Sequence, residues 1–225
     1  MAYIWINPVT ESMYEPKVLA EFLKKHGYEQ IKTTGDWLNI VKEKYRIAAS
    51  KATGPVIDMR CPKTKEVLDQ SGVTSDVYIP TIEPILIHCA RELSERGDLQ
   101  EEEKVITTPC QALADMGNAL NLPKTRFVPW NQFLQSLHDR QRSGVSTANI
   151  TIQKSPKESP IPPGFFEGLE LKTTSVTGED DIFKYLQKHL RKDVSNNIQL
   201  VEVLFCKEGC HNGDGIKPTD GMCER

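Results

Sequence analysis

VEVLFCKEGCHNGDG, residues 201–215, is the stretch on which the interpretation of the whole chain turns. It opens as an apolar, β-branched run of strand type and ends in two cysteines, Cys206 and Cys210, set among Gly209, Gly213 and Gly215. A strand delivers the thiols and a glycine loop wraps them. The four-residue step lets two thiolates of one loop reach neighbouring corners of a metal cluster, and the glycines let backbone N–H groups come close enough to donate hydrogen bonds to sulfur. Two cysteines do not complete an iron–sulfur cube, so further ligands must come from comparable strand ends.

Two such ends occur upstream. Residues 56–60 form an apolar run that delivers Cys61 and then Pro62, and KVITT, residues 104–108, ends in Pro109-Cys110. The chain between them alternates. Strands are expected at 3–7, 30–33, 77–79, 127–129 and 169–176. Helices are expected at 15–26, 37–50, 63–70, 85–96, 112–120, from Asn131 to His138, and over 182–190. Strands separated by helices of this length imply right-handed crossovers and mostly parallel sheets, with functional residues beyond the carboxyl ends of strands. Residues 140–168 are rich in Ser, Pro, Gly and Lys and read as a long connecting loop. The fold class is α/β.

Composition narrows the function. The 225 residues are 38% hydrophobic and 26% charged, ordinary for a soluble globular chain with a substantial core. A net charge of −3 carries no basic footprint for nucleic acid or for an anionic membrane. The N-terminus has no basic and apolar leader pattern, and no run of about 18 apolar residues occurs, so a cytoplasmic location is expected. Six cysteines in such a chain point to metal ligands or redox thiols rather than a disulfide scaffold. No G-x-G-x-x-G or phosphate-loop motif is present, and no recognisable elbow or triad spacing supports a Cys–His nucleophile.

Parallel strands share a carboxyl edge, so Cys61, Cys110, Cys206 and Cys210 can converge despite their separation in sequence. Four thiolates are the ligand count of a [4Fe–4S] cluster. A zinc site with four thiolates is the alternative metal, although such sites favour two close C-x2-C pairs. Unliganded core thiols are the bland reading for each cysteine taken singly.

The order strand-Cys-Pro, strand-Pro-Cys, then strand-C-x3-C-x-N-G-x-G resembles the H-cluster domain of iron-only ([FeFe]) hydrogenases and their hydrogenase-like relatives. The matching pieces are DMRCP (58–62), TTPC (107–110) and VEVLFCKEGCHNGDG, and the likeness runs from about residue 56 onward, more loosely before it. It implies two small lobes of mostly parallel sheets flanked by helices, with a metal cluster between them. The first lobe, shortened, would cover about residues 1–75 and the remainder about 76–225. It also implies that the four cysteines bind the cube, with Cys210 bridging to a diiron subsite in catalytic members.

The departures fall on that subsite. Arg60 stands where catalytic members place a proton-relaying cysteine, and Leu113 where they carry a lysine that holds a cyanide ligand. Thr108 and Leu204 replace two methionines, and Glu83-Pro84-Ile85 replaces a Ser-Pro-Gln pattern of the diiron pocket. A guanidinium stays protonated and serves no relay, and exchanging Lys for Leu removes the strongest partner of a cyanide-bearing unit. The expectation is a single [4Fe–4S] cluster used in electron transfer or redox sensing with a ferredoxin-like or signalling partner, in an anaerobe. The alternatives are an active hydrogenase with an unusual diiron pocket and a structural zinc protein.

Four further residues are candidates around the cofactor. Arg60 is placed to offset cluster charge, against a surface salt bridge as its alternative, and His211 to donate to cluster sulfur, against an exposed loop histidine. Gly209 and Gly213 allow close backbone approach. Cys89, on a helix with His88, reads as a buried thiol and Cys223 as a free thiol of the C-terminal tail. His26, His138, His189, residues 101–103 and residues 188–192 read as solvated.

Overall fold

The computed structural model describes residues 1–72, 77–141, 150, 164–189 and 196–216. In chain order the strands are β1 (Ala2–Trp5), β2 (Tyr28–Gln30), β3 (Val56–Ile57), β4 (Lys104–Thr108), β5 (Thr125–Pro129), β6 (Thr173–Thr177) and β7 (Leu200–Leu204). The helices are α1 (Pro8–Glu11), α2 (Pro16–Lys25), α3 (Trp37–Lys51), α4 (Pro62–Ser71), α5 (Ile85–Glu95), α6 (Gln111–Asn118), α7 (Trp130–Gln141) and α8 (Glu179–Lys184). Every pair of neighbouring strands runs parallel. The expected mixed α/β class with parallel sheets flanked by helices is the one observed.

Two compact units alternate along the chain. The first takes in Met1–Thr34, Cys89–Pro160 and His211–Arg225, and the second Gly35–His88 and Ile161–Cys210.

In the first unit four strands lie in the order β2-β1-β4-β5. Ile4 is level with Gln30 on one side and with Val105 on the other. Pro16 opens α2, where its missing N–H costs nothing, and Lys24 and Lys25 in the last turn face the negative end of the helix dipole. Leu19, Phe22 and Leu23 form the buried face of α2, at roughly 1.5–3 kcal/mol for each side chain removed from water. The contact of α6 with β5 depends on Gly117, because a Cβ built there falls 2.3 Å from the Phe127 ring. Asn118 holds that strand in place by accepting from the Phe127 N–H at 2.8 Å and donating to its carbonyl at 3.0 Å. Lys104 opens β4 fully buried, and its ammonium donates to the carbonyls of Leu99 and Glu102 at 2.7 and 2.9 Å.

The second unit holds three strands in the order β3-β7-β6, with Ile57 level with Val201 and Val203 level with Val176. On one side of this sheet Val67 and Leu68 of α4 meet Ile182, Tyr185 and Leu186 of α8 and the π-turn that continues it. A second cluster joins Val41, Tyr45 and Ala49 of α3 to Val56, Leu200, Phe165 and Phe166.

Several boundaries differ from those read in the sequence. β3 keeps only two residues of the expected 56–60, although the Asp58 N–H still donates to the Val201 carbonyl of β7 at 2.9 Å, and beyond it the Asp58 and Arg60 side chains pair with each other. Tyr78 pairs with Val56 through a single bridge instead of a strand over 77–79. The strand expected at 169–176 starts later, at Thr173. Most of the 140–168 loop lies outside the described residues, but at its end Phe165 and Phe166 are core residues, 6% and 1% exposed. Among the described residues no helix is long and apolar enough to cross a membrane.

Candidate metal centre

In the second unit, β3 and β7 are neighbours, and the chain beyond each carboxyl end carries a cysteine. Past β3, extended backbone leads to Cys61, which caps α4 with its backbone only (φ −91°, ψ 114°), the sulfur making no capping hydrogen bond. Pro62 follows in the first helical turn, where its fixed φ suits the helix and its missing N–H leaves no donor unpaired. Past β7 comes Cys206, whose carbonyl accepts from the Gly209 N–H at 3.0 Å. That tight turn needs left-handed backbone at Glu208 (φ 62°) and Gly209 (φ 106°), the second well outside what a side chain tolerates. Thr177 holds the turn, its hydroxyl accepting from the Glu208 N–H at 3.1 Å. Cys210 then opens a short 3-10 turn, Cys210–Asn212. Cys61, Cys206 and Cys210 are all partly exposed, and none is in a disulfide.

Cys110 belongs to the first unit. It is the backbone N-cap of α6 (φ −154°, ψ 162°), again with no capping bond from sulfur, and its carbonyl accepts from the Thr108 hydroxyl at 2.8 Å. The loop 211–216 of the same unit packs against this turn. The Asp214 carboxylate accepts from the Gln111 N–H at 2.9 Å, and the Gly215 N–H donates to the Pro109 carbonyl at 3.0 Å. Asn131 closes the arrangement, donating from its side chain to the Asp214 carbonyl and from its backbone to Gly215. Cys61 and Cys110 therefore share one local design, a thiol at a helix N-terminus where the helix dipole favours negative charge.

His211 is 6% exposed, so the exposed-histidine alternative does not apply to it. Gly213, in the same loop, is buried and accepts from the Ile216 N–H at 3.1 Å. Cys89 is 4% exposed, and burial pushes its thiol up to about 12. His88 is a stacking residue, its ring 5.1 Å from Trp37 and 6° from parallel, with the Lys44 ammonium 3.3 Å from its Nε2. Cys223 and residues 190–192 lie outside the described residues.

Arg60 sits inside the unit, and its ion pairs are buried rather than on the surface. Its guanidinium donates to Asp58 at 2.7–3.0 Å and to Glu202 at 3.0 Å. It also lies 3.8 Å from the Phe165 ring centre and 4.7 Å from that of Phe166. Burial works against its charge, but the Asp58 and Glu202 carboxylates outweigh burial and hold it protonated beyond the ordinary guanidinium range. The Tyr45 phenol accepts from the Met59 N–H at 3.1 Å, and burial, with Asp58 nearby, keeps that phenol neutral.

Sequence reasoning missed Asp58, Glu202 and Asp214 as partners. The available signal was Glu202 itself, a lone acid inside the apolar run VEVLF, since a buried parallel strand tolerates such a charge only with a partner.

Among the described residues, no three His, Cys, Asp or Glu side chains are grouped as ligands of a single metal ion. A cube asks for no such grouping, because each of its irons takes one thiolate. In the second unit Cys61 and Cys206 each follow a strand, and Cys210 opens the 3-10 turn after the glycine turn that closes on the Cys206 carbonyl.

No protein-family model matches the chain, and no curated protein matches it. Solved structures do. A variant of the [FeFe]-hydrogenase HydA1 from Chlamydomonas reinhardtii aligns with a TM-score of 0.62 at 11% identity, over 97% of this chain and 80% of that one. The apo form of another variant of the same enzyme gives 0.61 at 12% identity, with the same coverage. At such identity the likeness is one of fold, and the chain has a hydrogenase-like fold.

Proposed function

We propose that this chain is a divergent member of the iron-only hydrogenase family that binds one [4Fe–4S] cluster through Cys61, Cys110, Cys206 and Cys210. It acts in electron transfer or redox sensing with a redox protein partner in the cytoplasm, without the diiron subsite of catalytic members. The observation that carries this is the position of Cys61 and Cys206 beyond the carboxyl ends of adjacent parallel strands, where α/β folds collect functional groups. The hydrogenase-like fold supports it, and so does the packing of the 211–216 loop, which follows Cys210 directly, on the backbone around Cys110.

When bound, a cube supplies one-electron exchange at a potential tuned by its surroundings. The chain's own part would be to present thiolates, to allow close backbone approach at Gly209 and Gly213, and to offer buried His211 as a hydrogen-bond donor to cluster sulfur. Two features support the absence of proton reduction. Arg60 is closed in by Asp58 and Glu202 and is permanently charged, so it relays no proton, and Leu113 is a buried apolar residue, 8% exposed, with no donor for a cyanide ligand.

Iron and sulfide analysis of anaerobically reconstituted protein tests this, together with EPR of the reduced form and a hydrogen-evolution assay. About four irons per chain with a cubane signal and no hydrogen is the expected result. A single zinc, or about six irons with turnover, replaces it with one of the two alternatives.

A further inference from the structure

We infer that Asp58, Arg60 and Glu202 form a positioning device for the cluster ligands of the second unit, bracing the segment that carries Cys61 against the strand that leads to Cys206. The inference rests on the cluster reading above and adds to it a role for a buried charge group that the fold alone does not require.

Asp58 and Glu202 are 0% and 2% exposed and Arg60 is 9% exposed. Their hydrogen bonding is directed wholly inward. Asp58 accepts from the Arg60 backbone N–H at 3.0 Å as well as from its guanidinium. Glu202 accepts from Arg60, from the backbone N–H groups of Gly164 and Phe165 at 2.6 and 3.3 Å, and from the Ser175 hydroxyl at 3.1 Å. Phe165 covers the guanidinium face at 3.8 Å. Every carboxylate oxygen is therefore occupied by the protein itself, which leaves this group neither a metal site nor a substrate site.

A buried ion pair adds little stability over apolar side chains of the same volume, but a planar guanidinium clamped by two carboxylates fixes direction as an apolar pair does not. What it fixes here is the residue immediately before Cys61. On the other side of the cysteine, the Thr64 hydroxyl donates to the Val203 carbonyl at 3.3 Å. Cys61 is thus tied to β7 before and behind, at Glu202 and at Val203, and Cys206 follows three residues after the second tie. The Asp58 N–H extends the same ladder to the Val201 carbonyl at 2.9 Å. Two thiols that must meet two corners of a rigid cluster need their spacing set before the metal arrives, and partners of this kind typically change metal affinity 10- to 100-fold when removed.

The test uses the full chain with Arg60→Lys, which keeps the charge and loses the fork, and Glu202→Gln, which keeps the shape and loses the charge. Each is reconstituted anaerobically and compared with wild type in the rate of iron loss to a chelator, the EPR line shape of the reduced cluster and the thermal unfolding of the cluster-free chain. The expected result is iron loss about tenfold faster or more, with an altered line shape in the fraction that stays loaded. Variants that unfold earlier yet show wild-type line shape and iron-loss rate mark the triad as structural and overturn the proposal. Should either variant fail to fold, Thr64→Val removes the rear tie with its shape conserved. A few-fold faster loss then supports the proposal, and a wild-type rate overturns it. Wild-type protein that takes up no four-iron cluster instead defeats the underlying cluster reading, a result plainly different from loaded variants that behave as wild type.

Discussion

Replacing Gly215 by Ala tests the turn that holds Cys110. A Cβ at this position falls 2.9 Å from the Cys110 nitrogen, the Pro109 carbonyl carbon and the Pro129 Cβ, about half an ångström short of the 3.4 Å at which ordinary contact begins. Two of the three obstructing atoms are backbone and the third belongs to a rigid ring in β5, so none rotates away. Overpacking of this kind costs about 1–3 kcal/mol. Relief requires the loop to lift, which weakens the Gly215 to Pro109 and Asn131 to Gly215 hydrogen bonds, each about 0.5–1.5 kcal/mol. A total near 3 kcal/mol lowers the melting temperature by roughly 6–12 °C in a chain of this length. Circular dichroism melts of the cluster-free protein measure it, with Gly97→Ala as control, since nothing lies within 4 Å of a Cβ there. The control is expected to gain about 0.4–1 kcal/mol from the restricted unfolded chain. A Gly215→Ala variant that melts at or above wild type, as the control is expected to, would show that the loop does not press on the Cys110 turn, and the reasoning fails.

Two further outcomes follow from buried groups. With its thiol pushed up to about 12, Cys89 is some three units above an ordinary thiol and roughly a thousandfold poorer in thiolate at pH 8. In cluster-free native protein, iodoacetamide labelling followed by peptide mass spectrometry is expected to modify partly exposed Cys61 first and Cys89 only on unfolding; equal rates sink this. Burial lowers the pKa of Lys104 from 10.5, so folding disfavours its charged form. That penalty is complete below the folded-state value and shrinks as pH rises through it toward 10.5. Denaturant titrations should therefore show wild type gaining on Lys104→Met over that alkaline range, and a difference that stays flat or moves the other way contradicts the argument.

Much of the fold was legible in the chain itself. Apolar runs of strand length broken by helical periods imply parallel sheets, because only a crossover helix returns the chain to the same end of a sheet. The cysteines were equally readable. Pro62 after Cys61, Pro109 before Cys110 and the glycines around Cys210 are local signals of a chain leaving a strand, and local signals act through φ, ψ and neighbouring residues alone.

What only the tertiary structure decided involves partners far apart in sequence. Glu202 meets Arg60 across 142 positions and Asp214 caps α6 across 103, so neither acid announced its role to its neighbours. Phe165 and Phe166 end a stretch whose composition suggests a loop, yet the second unit's core takes them in. The two units exchange the chain repeatedly, which no reading in chain order separates. Periodicity reports which face of an element seeks burial, but the partner that buries it, and the charge it must neutralise there, exist only once distant segments pack.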